Sequence, residues 1–287
     1  MSAPELAEAG PDPEELAELA RAVAAETGEL LLSRHGQVAV MQTKSSPTDV
    51  VTEMDTAAEA LIRRRILAAR PGDAILGEEG GQVGGQADGP AGAGGAVRWI
   101  VDPLDGTVNY LYGLSDWAVS IAAEVDGQVV AGAVNVPVHR SLFSATAGGG
   151  AWLQSGWREG PQRLACTTAV ALAEALVGTG FGYAAGRRVI QGQVVAAVLP
   201  HIRDIRRAGA AAVDLCSVAA GRLDAFYERG LHEWDFAAGG LIAREAGALV
   251  AGLHGRPPSE SMALAAGPGL FGQLHDLLAS LDPERDA

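Results

Sequence analysis

Apolar positions recur three and four apart through Leu16, Leu19, Ala20, Val23, Thr27, Leu30 and Leu31, the stripe of an amphipathic helix. Asp12-Pro13-Glu14-Glu15 opens it with an acidic cap, proline at the first helical position and glutamate at the third. His35-Gly36 closes it, and residues 1–11 ahead of it read as a loose tail. Thr52-Glu53-Met54-Asp55 has capping-box form, with Asp in place of the usual Glu, so a second helix begins at Thr52. It continues through Ala58, Leu61, Ile62 and Ile66 and stops at Pro71-Gly72. A short strand at 74–76 then runs into Gly77-Glu78-Glu79, and residues 80–96, almost all glycine, alanine and small polar residues, predict a flexible surface loop.

The rhythm then changes to alternation. Strands at 117–125 and 128–136 flank Asp126-Gly127, a hairpin signal that makes Asp126 a turn residue rather than a metal ligand. Strands at 142–146 and 151–154 extend this β region. Beyond it come a strand at 176–177, a helical pattern to about 199, a strand at 202–206 and a helix at 210–220. A strand at 224–227, a helix from near Trp234 closed by Gly247, a strand at 262–265 and a helix at 270–281 finish the chain. Hairpin and crossover spacings together predict a layered α/β fold with sheets covered by helices. The change of rhythm near 155 divides it into an N-terminal α+β subdomain, 1–154, and a C-terminal α/β subdomain, 155–287.

Composition narrows the function. A net charge of −14 repels nucleic-acid backbones and anionic lipid, so neither is an expected partner, and an anionic substrate would need a cation brought to it. Cys166 and Cys216 are far apart with no CxxC, the usage of a reduced cytoplasmic protein. The acidic N-terminus is unlike a signal peptide, and no apolar run reaches a membrane-spanning length of ~18 residues. Lys44 is the only lysine; the other 20 cationic residues are arginine.

Four acids sit at element ends or in turns: Glu78 after the 74–76 strand, Asp102 at the end of the apolar run 99–101, Asp105 in the turn beyond, and Asp235 at the start of the Trp234 helix. Carboxylates gathered from distant strand ends form the oxygen-rich setting that suits Mg²⁺. Pro103 and Gly106 constrain the turn so that both aspartates and the Leu104 carbonyl can aim at one point, and two ions ~3.5–4 Å apart there can clamp a displacement at phosphorus. Backbone N–H groups at Gly106-Thr107 suit a phosphate, while the Thr107 hydroxyl can hold a water whose proton Glu78 takes. Taken singly, each acid reads more simply as a helix cap or a turn residue.

The run Asp102-Pro103-Leu104-Asp105-Gly106-Thr107-Val108-Asn109-Tyr110 resembles the first signature of the inositol monophosphatase family, and Trp234-Asp235-Phe236-Ala237-Ala238-Gly239 with Glu245-Ala246-Gly247 resembles the second. Gly77-Glu78-Glu79 and the segment from Lys44-Ser45-Ser46-Pro47-Thr48-Asp49 to Thr52, Asp55 and Ala58-Glu59 match in the same order and register, over residues 15–280. The neighbourhood of Thr107–Gly113 and Gly178–Tyr183 is most similar to actinobacterial members. The resemblance implies an αβαβα sandwich of the inositol monophosphatase and sugar phosphatase type, a homodimer, lithium sensitivity and two or three Mg²⁺ ions per site. Residue by residue it implies Glu78, Asp102, Asp105, Asp235 and the Leu104 carbonyl as metal ligands, Thr107 with Glu78 as the water-activating pair, and Asp55 holding Thr107. It also implies Lys44 beside the site. The phosphate and the polyol it implies are held by Asp105, Gly106, Thr107, Arg206, Gly209, Ala211, Glu228 and Asp235. Val108, Gly80 and Ala210 depart from the usual residues and bear on substrate preference.

The expected activity is hydrolysis of a phosphate monoester, myo-inositol 1-phosphate first. Histidinol phosphate, fructose 1,6-bisphosphate and adenosine 3′,5′-bisphosphate are the substrates of the rival reading, and a non-catalytic regulatory member is the rival from another class. Gly178-x-Gly180-x-Gly182 lacks the spacing of a dinucleotide loop, the six histidines are too scattered for zinc, and His232-Glu233 reads as local packing or surface.

Overall fold

The computed structural model describes residues 10–37, 40–43, 50–84 and 96–286. α1 (Pro13–Leu32) starts where its cap requires: the Asp12 carboxylate accepts from the Glu14 N–H at 2.9 Å. β1 (Val40–Thr43) pairs antiparallel with β2 (Val50–Thr52), which leads into α2 (Glu53–Ala69). The capping box at Thr52 forms, with Thr52 Oγ1 accepting from Met54 N at 3.1 Å and Asp55 accepting from Thr52 N at 2.8 Å.

β3 (Ala74–Gly77) is followed by β4 (Gly81–Val83), which folds back antiparallel onto it. The stretch expected to be loop from residue 80 therefore opens with a strand, and its residues 85–95 lie outside the described residues. β5 (Val97–Asp105), α3 (Thr107–Leu111), β6 (Ala118–Val125), β7 (Gln128–Val136), β8 (Ser141–Thr146), β9 (Gly150–Ser155) and β10 (Gln162–Arg163) follow. They complete an eight-stranded sheet of order β10-β9-β8-β7-β6-β5-β3-β4. Asp126 and Gly127 both have positive φ, 50° and 74°, as a tight hairpin turn demands.

The second sheet draws on β11 (Leu176–Thr179), α4 (Ala185–Val198), β12 (Asp204–Arg206), α5 (Ala211–Ala219), β13 (Ala225–Glu228), α6 (Glu233–Glu245), β14 (Leu249–Ala251), β15 (Ala263–Ala266) and α7 (Pro268–Ser280). Its five strands run β12-β11-β13-β15-β14, with β11 parallel to both β12 and β13. A cut after residue 154 falls inside β9; the sheets change over between Arg163 and Leu176.

The layers follow from which face each apolar residue takes. Trp99, Val101 and Ile121 bury one face of the first sheet against Leu16 and Val23 of α1 and Ile62 and Ile66 of α2. Ile100, Ala122 and Val134, on the alternate face, pack on Ala212 and Cys216 of α5 and Ala238 and Leu241 of α6. α5 and α6 then present Leu215 and Ala243 to Phe226, Ala263 and Ala265 of the second sheet. Its outer face buries Val177, Tyr227 and Leu264 beneath α4 and α7. The result is the αβαβα sandwich expected from the sequence. Full burial of each large aliphatic such as Ile62 or Ile121 contributes about 1.5–3 kcal/mol. Gly132 allows the closest approach: a Cβ there would lie 3.1 Å from the Ala238 Cα, so α6 rests backbone to backbone on β7.

Candidate active site

On a regular strand, residues three apart face opposite ways, so Asp102 and Asp105 should not share a site. The pairing of β5 with β6 resolves this. Asp102 lies opposite Ser120 but Asp105 lies opposite Ala118, so the three-residue step on β5 meets a two-residue step on β6. That irregularity, at Pro103, which has no N–H to give a ladder, turns Asp105 to the α5/α6 side that Asp102 shares with Ile100, and turns Leu104 into the opposite core. β3 runs parallel to β5 with Gly77 beside Val101, which brings Glu78 to the same end.

Each acid is oriented by the backbone. Asp102 Oδ1 accepts from Leu104 N at 3.0 Å. Asp105 takes the first N–H groups of α5, Ala211 at 3.2 Å and Ala212 at 2.7 Å. Asp235 accepts from His232 N at 2.6 Å; it is the third residue of α6, which begins at Glu233 and not at Trp234 as the sequence suggested. Thr107 Oγ1 lies 2.9 Å from Asp55 Oδ1 and 3.1 Å from the Leu104 carbonyl oxygen. Gly106, at φ 91°, packs where a Cβ would lie 2.9 Å from the Asp116 carbonyl oxygen, so the turn into α3 admits no side chain.

Glu78, Asp102, Leu104, Asp105, Gly106, Thr107 and Asp235 line one cleft of about 430 Å³, together with Gly209, Ala211 and Glu228. Burial, and then the charges of Glu78, Asp105 and Asp235, push the Asp102 carboxyl well above the usual carboxylate range. Asp105 is pushed up to about 7 and Glu228 to about 8, in both cases chiefly by burial. Asp235 is likewise raised well above its ordinary value by burial and then by Asp105 and Glu78. Among the described residues no three acids converge on one point as a closed cage; the oxygens are strung along the cleft. This donor set fits a hard divalent ion that keeps waters and shares its coordination with a phosphate. A cation there would offset the mutual repulsion that raises these carboxyls.

A model of the inositol monophosphatase family matches residues 12–283. The chain belongs to the inositol monophosphatase family. It is similar to the inositol-1-monophosphatase SuhB of Mycobacterium tuberculosis, at 46% identity over 276 residues that cover 92% of this chain and 93% of that one. The solved structure of M. tuberculosis SuhB superposes with a TM-score of 0.80 at 42% identity, covering 96% of this chain and 99% of that one. The Nus factor SuhB of Pseudomonas aeruginosa is 41% identical over 218 residues, 72% of this chain and 73% of that one. Members of the inositol monophosphatase family are phosphatases acting on phosphate monoesters, and this chain is such a hydrolase by family.

Of the residues singled out from the sequence, Lys44 lies outside the described residues. Arg206 is not brought to the cleft. It ends the edge strand β12, pairs with Asp204 at 2.6 Å and lines a separate hollow beside Asp214 and Arg222. Its neighbour Arg207 lines both that hollow and the acid-lined cleft, and Arg187 reaches the cleft from the first turn of α4. Nothing in the sequence pattern pointed to Arg187. Ala211 lines the cleft, but its N–H is already given to Asp105. His232 also lines the cleft, with its ring 4.8 Å from that of Trp234. Glu59, noted only as part of a matching segment, is buried beneath the Glu78 turn and accepts from Glu79 N and Gly80 N, each at 2.8 Å.

Proposed function

We propose that this protein hydrolyses myo-inositol 1-phosphate to myo-inositol and phosphate in a Mg²⁺-dependent reaction. The observation that carries the reading is the gathering of Glu78, Asp102, Leu104, Asp105, Thr107 and Asp235, from three separate stretches of chain, along one cleft. Glu78, Asp102, Asp105, Asp235 and the Leu104 carbonyl would hold Mg²⁺, two or three ions per site. Bound there, the metal would supply Lewis-acid charge at the phosphate and at the leaving oxygen.

The chain's own groups do the rest. Thr107 has one hydroxyl proton, and both acceptors within reach, Asp55 and the Leu104 carbonyl, lie on its inner side. With that proton committed inward, Thr107 can only accept from a water in the cleft. Glu78 is the second acceptor: it takes a proton from the water as the water oxygen bonds to phosphorus, and the phosphorus–oxygen bond to the alcohol breaks on the opposite side. The departing alkoxide is protonated from solvent while Glu78 returns its proton to solvent. Asp55 holds Thr107 in this role. Gly106 and Thr107 offer backbone to the phosphate, and Glu228, at the end of β13, faces the hydroxyls of the polyol, with Gly209 and Ala211 lining the same wall.

Phosphate release from inositol 1-phosphate, histidinol phosphate, fructose 1,6-bisphosphate and adenosine 3′,5′-bisphosphate, assayed side by side with Mg²⁺, tests the reading. Inositol 1-phosphate should be turned over fastest; far faster turnover of another would replace the substrate. The likeness to a protein named as a Nus factor favours one second reading, a regulatory member whose partner is not a small molecule. No turnover of any phosphomonoester would favour that reading over hydrolysis. We further propose a homodimer, checked by light scattering, and moderate inhibition by lithium, which a titration without effect at high concentration would overturn. Cytoplasmic residence accords with the absence, among the described residues, of a helix long and apolar enough to cross a membrane, and cell fractionation would check it.

A further inference from the structure

We propose that Gln191 is a positioning residue for Glu228: its side-chain amide bridges the parted ends of β11 and β13 and so sets the wall that meets the alcohol of the substrate. The proposal rests on the reading of Glu228 as the group that faces the polyol.

β11 and β13 run parallel to a last pair, Thr179 with Tyr227, closed by Thr179 Oγ1 donating to the Tyr227 carbonyl at 2.9 Å. Beyond it the strands part. Phe181 and Gly182 on one side and Glu228 and Gly230 on the other line the cleft. Parted strand ends leave backbone groups without ladder partners, and buried ones must find others. Gln191 supplies them. Its Oε1 accepts from Gly182 N at 3.0 Å, and its Nε2 donates to the Arg229 carbonyl at 3.2 Å. A side-chain amide has the acceptor and donor of a peptide group, so Gln191 stands as a rung inserted between the two strands. It comes from the buried face of α4, beside Ile190 and Val194, and is 7% exposed. It does not line the cleft, so it acts through the strand ends and not on substrate.

Glu228 depends on such a rung. Asp102, Asp105 and Asp235 are each aimed by backbone N–H groups, but among the described residues the Glu228 carboxylate accepts no hydrogen bond. It lies against the bare backbone of Gly180, where a Cβ would overlap both its oxygens. Its place is therefore set by how far the Gly180 segment stands from the end of β13, and that is the spacing Gln191 spans. The far end of the rung is itself held. The Arg229 side chain donates to the Arg285 carbonyl at 2.5 Å and to Asp286 at 2.9 Å.

Gln191→Met and Gln191→Leu each keep an apolar side chain of similar volume and delete both bonds. In either variant KM for inositol 1-phosphate should rise about fivefold or more, the worth of one or two hydrogen bonds, with kcat within about twofold of the parent. Inorganic phosphate has no alcohol to offer this wall, so its inhibition constant should stay within about twofold. A buried amide with a merely structural role would move both constants together or neither, and either result overturns the proposal. Hydrogen exchange reads the rung without turnover. The Gly182 N–H, beyond the end of its strand, should be protected about tenfold or more in the unaltered protein and lose that protection in the variants. An unprotected Gly182 N–H in the unaltered protein overturns the proposal whatever the kinetics. Protection that the substitutions remove supports it even in a chain that releases no phosphate, an outcome that would sink the hydrolase reading alone.

Discussion

Glu59 is the side chain whose loss should most clearly separate holding the Glu78 turn from building the core. It is 4% exposed, and its carboxylate accepts from Glu79 N at 2.8 Å, Gly80 N at 2.8 Å and Arg63 Nε at 2.9 Å, while Arg63 Nη2 continues to the Gly81 carbonyl at 2.6 Å. The turn closes over it because Gly77 and Gly80 have no Cβ; at either position one would lie 2.6 Å from a Glu59 oxygen. This gives a physical reading of Gly80: a carboxylate pinned by three donors occupies the space a Cβ would take. Glu59→Gln keeps the shape, halves the strength of the charge-assisted bonds and turns an amide N–H₂ toward one backbone N–H. Hydrogen bonds to a charged group contribute about 1.5–3 kcal/mol and an unmet buried donor costs about 1–3 kcal/mol, so the substitution should cost about 2–4 kcal/mol. At about 2–3 °C per kcal/mol for a chain of this size, the melting temperature should fall by about 4–12 °C. The Mg²⁺ concentration for half-maximal phosphate release should rise about tenfold or more, the usual effect of removing a group that orients a metal ligand. A variant that melts within about 1 °C of the parent and keeps its Mg²⁺ dependence refutes the reasoning.

Other outcomes follow from the same geometry. Thr107→Val, which keeps the volume and deletes the hydroxyl, should lower kcat by about 10²–10⁴ with KM little changed, measured as phosphate release. Asp55→Asn should lose both turnover and about 0.5–2 kcal/mol of stability in a denaturant melt, because its other oxygen caps α2 through Thr52. Asp214 is buried with its carboxyl pushed up to about 8 by burial and then by Glu228, Asp105 and Asp116, against the opposing charge of Arg207. Its folded pKa lies above the ordinary 3.8, so the stability it contributes is complete below about pH 4 and is lost as pH rises toward about 8. Asp214→Asn should flatten that decline by on the order of 1 kcal/mol per pH unit, and an unchanged slope in melts across this window counts against it. Arg206→Ala should leave KM for inositol 1-phosphate within about twofold of the parent, since Arg206 turns to Asp204; a tenfold rise would return it to the cleft.

What was legible in the sequence was what local chemistry fixes. Asp12-Pro13, the Thr52 box and Asp126-Gly127 each demand one backbone geometry, and α1, α2 and the β6–β7 turn obey them. The signature residues were legible as a set because Glu78, Asp102, Asp105 and Asp235 make chemical sense only together. Less legible was what depends on distant partners. β4 is three exposed residues in a glycine-rich run, held by pairing to β3, so it has no apolar period of its own. Which of Arg206 and Arg207 faces the cleft is set at the residue where the three-residue strand β12 ends, and alternation cannot be read past an end. Arg187 reaches the site from a helix whose sequence gives no sign of which turn borders the cleft.

The sequence posed each acid as a choice between helix cap and metal ligand, but for Asp102, Asp105 and Asp235 the first role does not preclude the second. Asp235 satisfies the orphan N–H before its own helix, Asp105 satisfies the first two N–H groups of α5, and Asp102 closes its own turn onto Leu104. A carboxylate has about four acceptor positions, and these bonds use one or two of them. The capping bond fixes the direction of the group, and the remaining lone pairs are aimed by it. A buried acid that had no such bond would swing away from its neighbours to relieve the repulsion that raises Asp102 and Asp235. The bonds from α5 to Asp105 also join the two sheets' elements at the site, so the cleft forms only when α5 has docked on the end of β5. Capping is thus the means by which a chain with this much negative charge keeps its acids directed along one cleft.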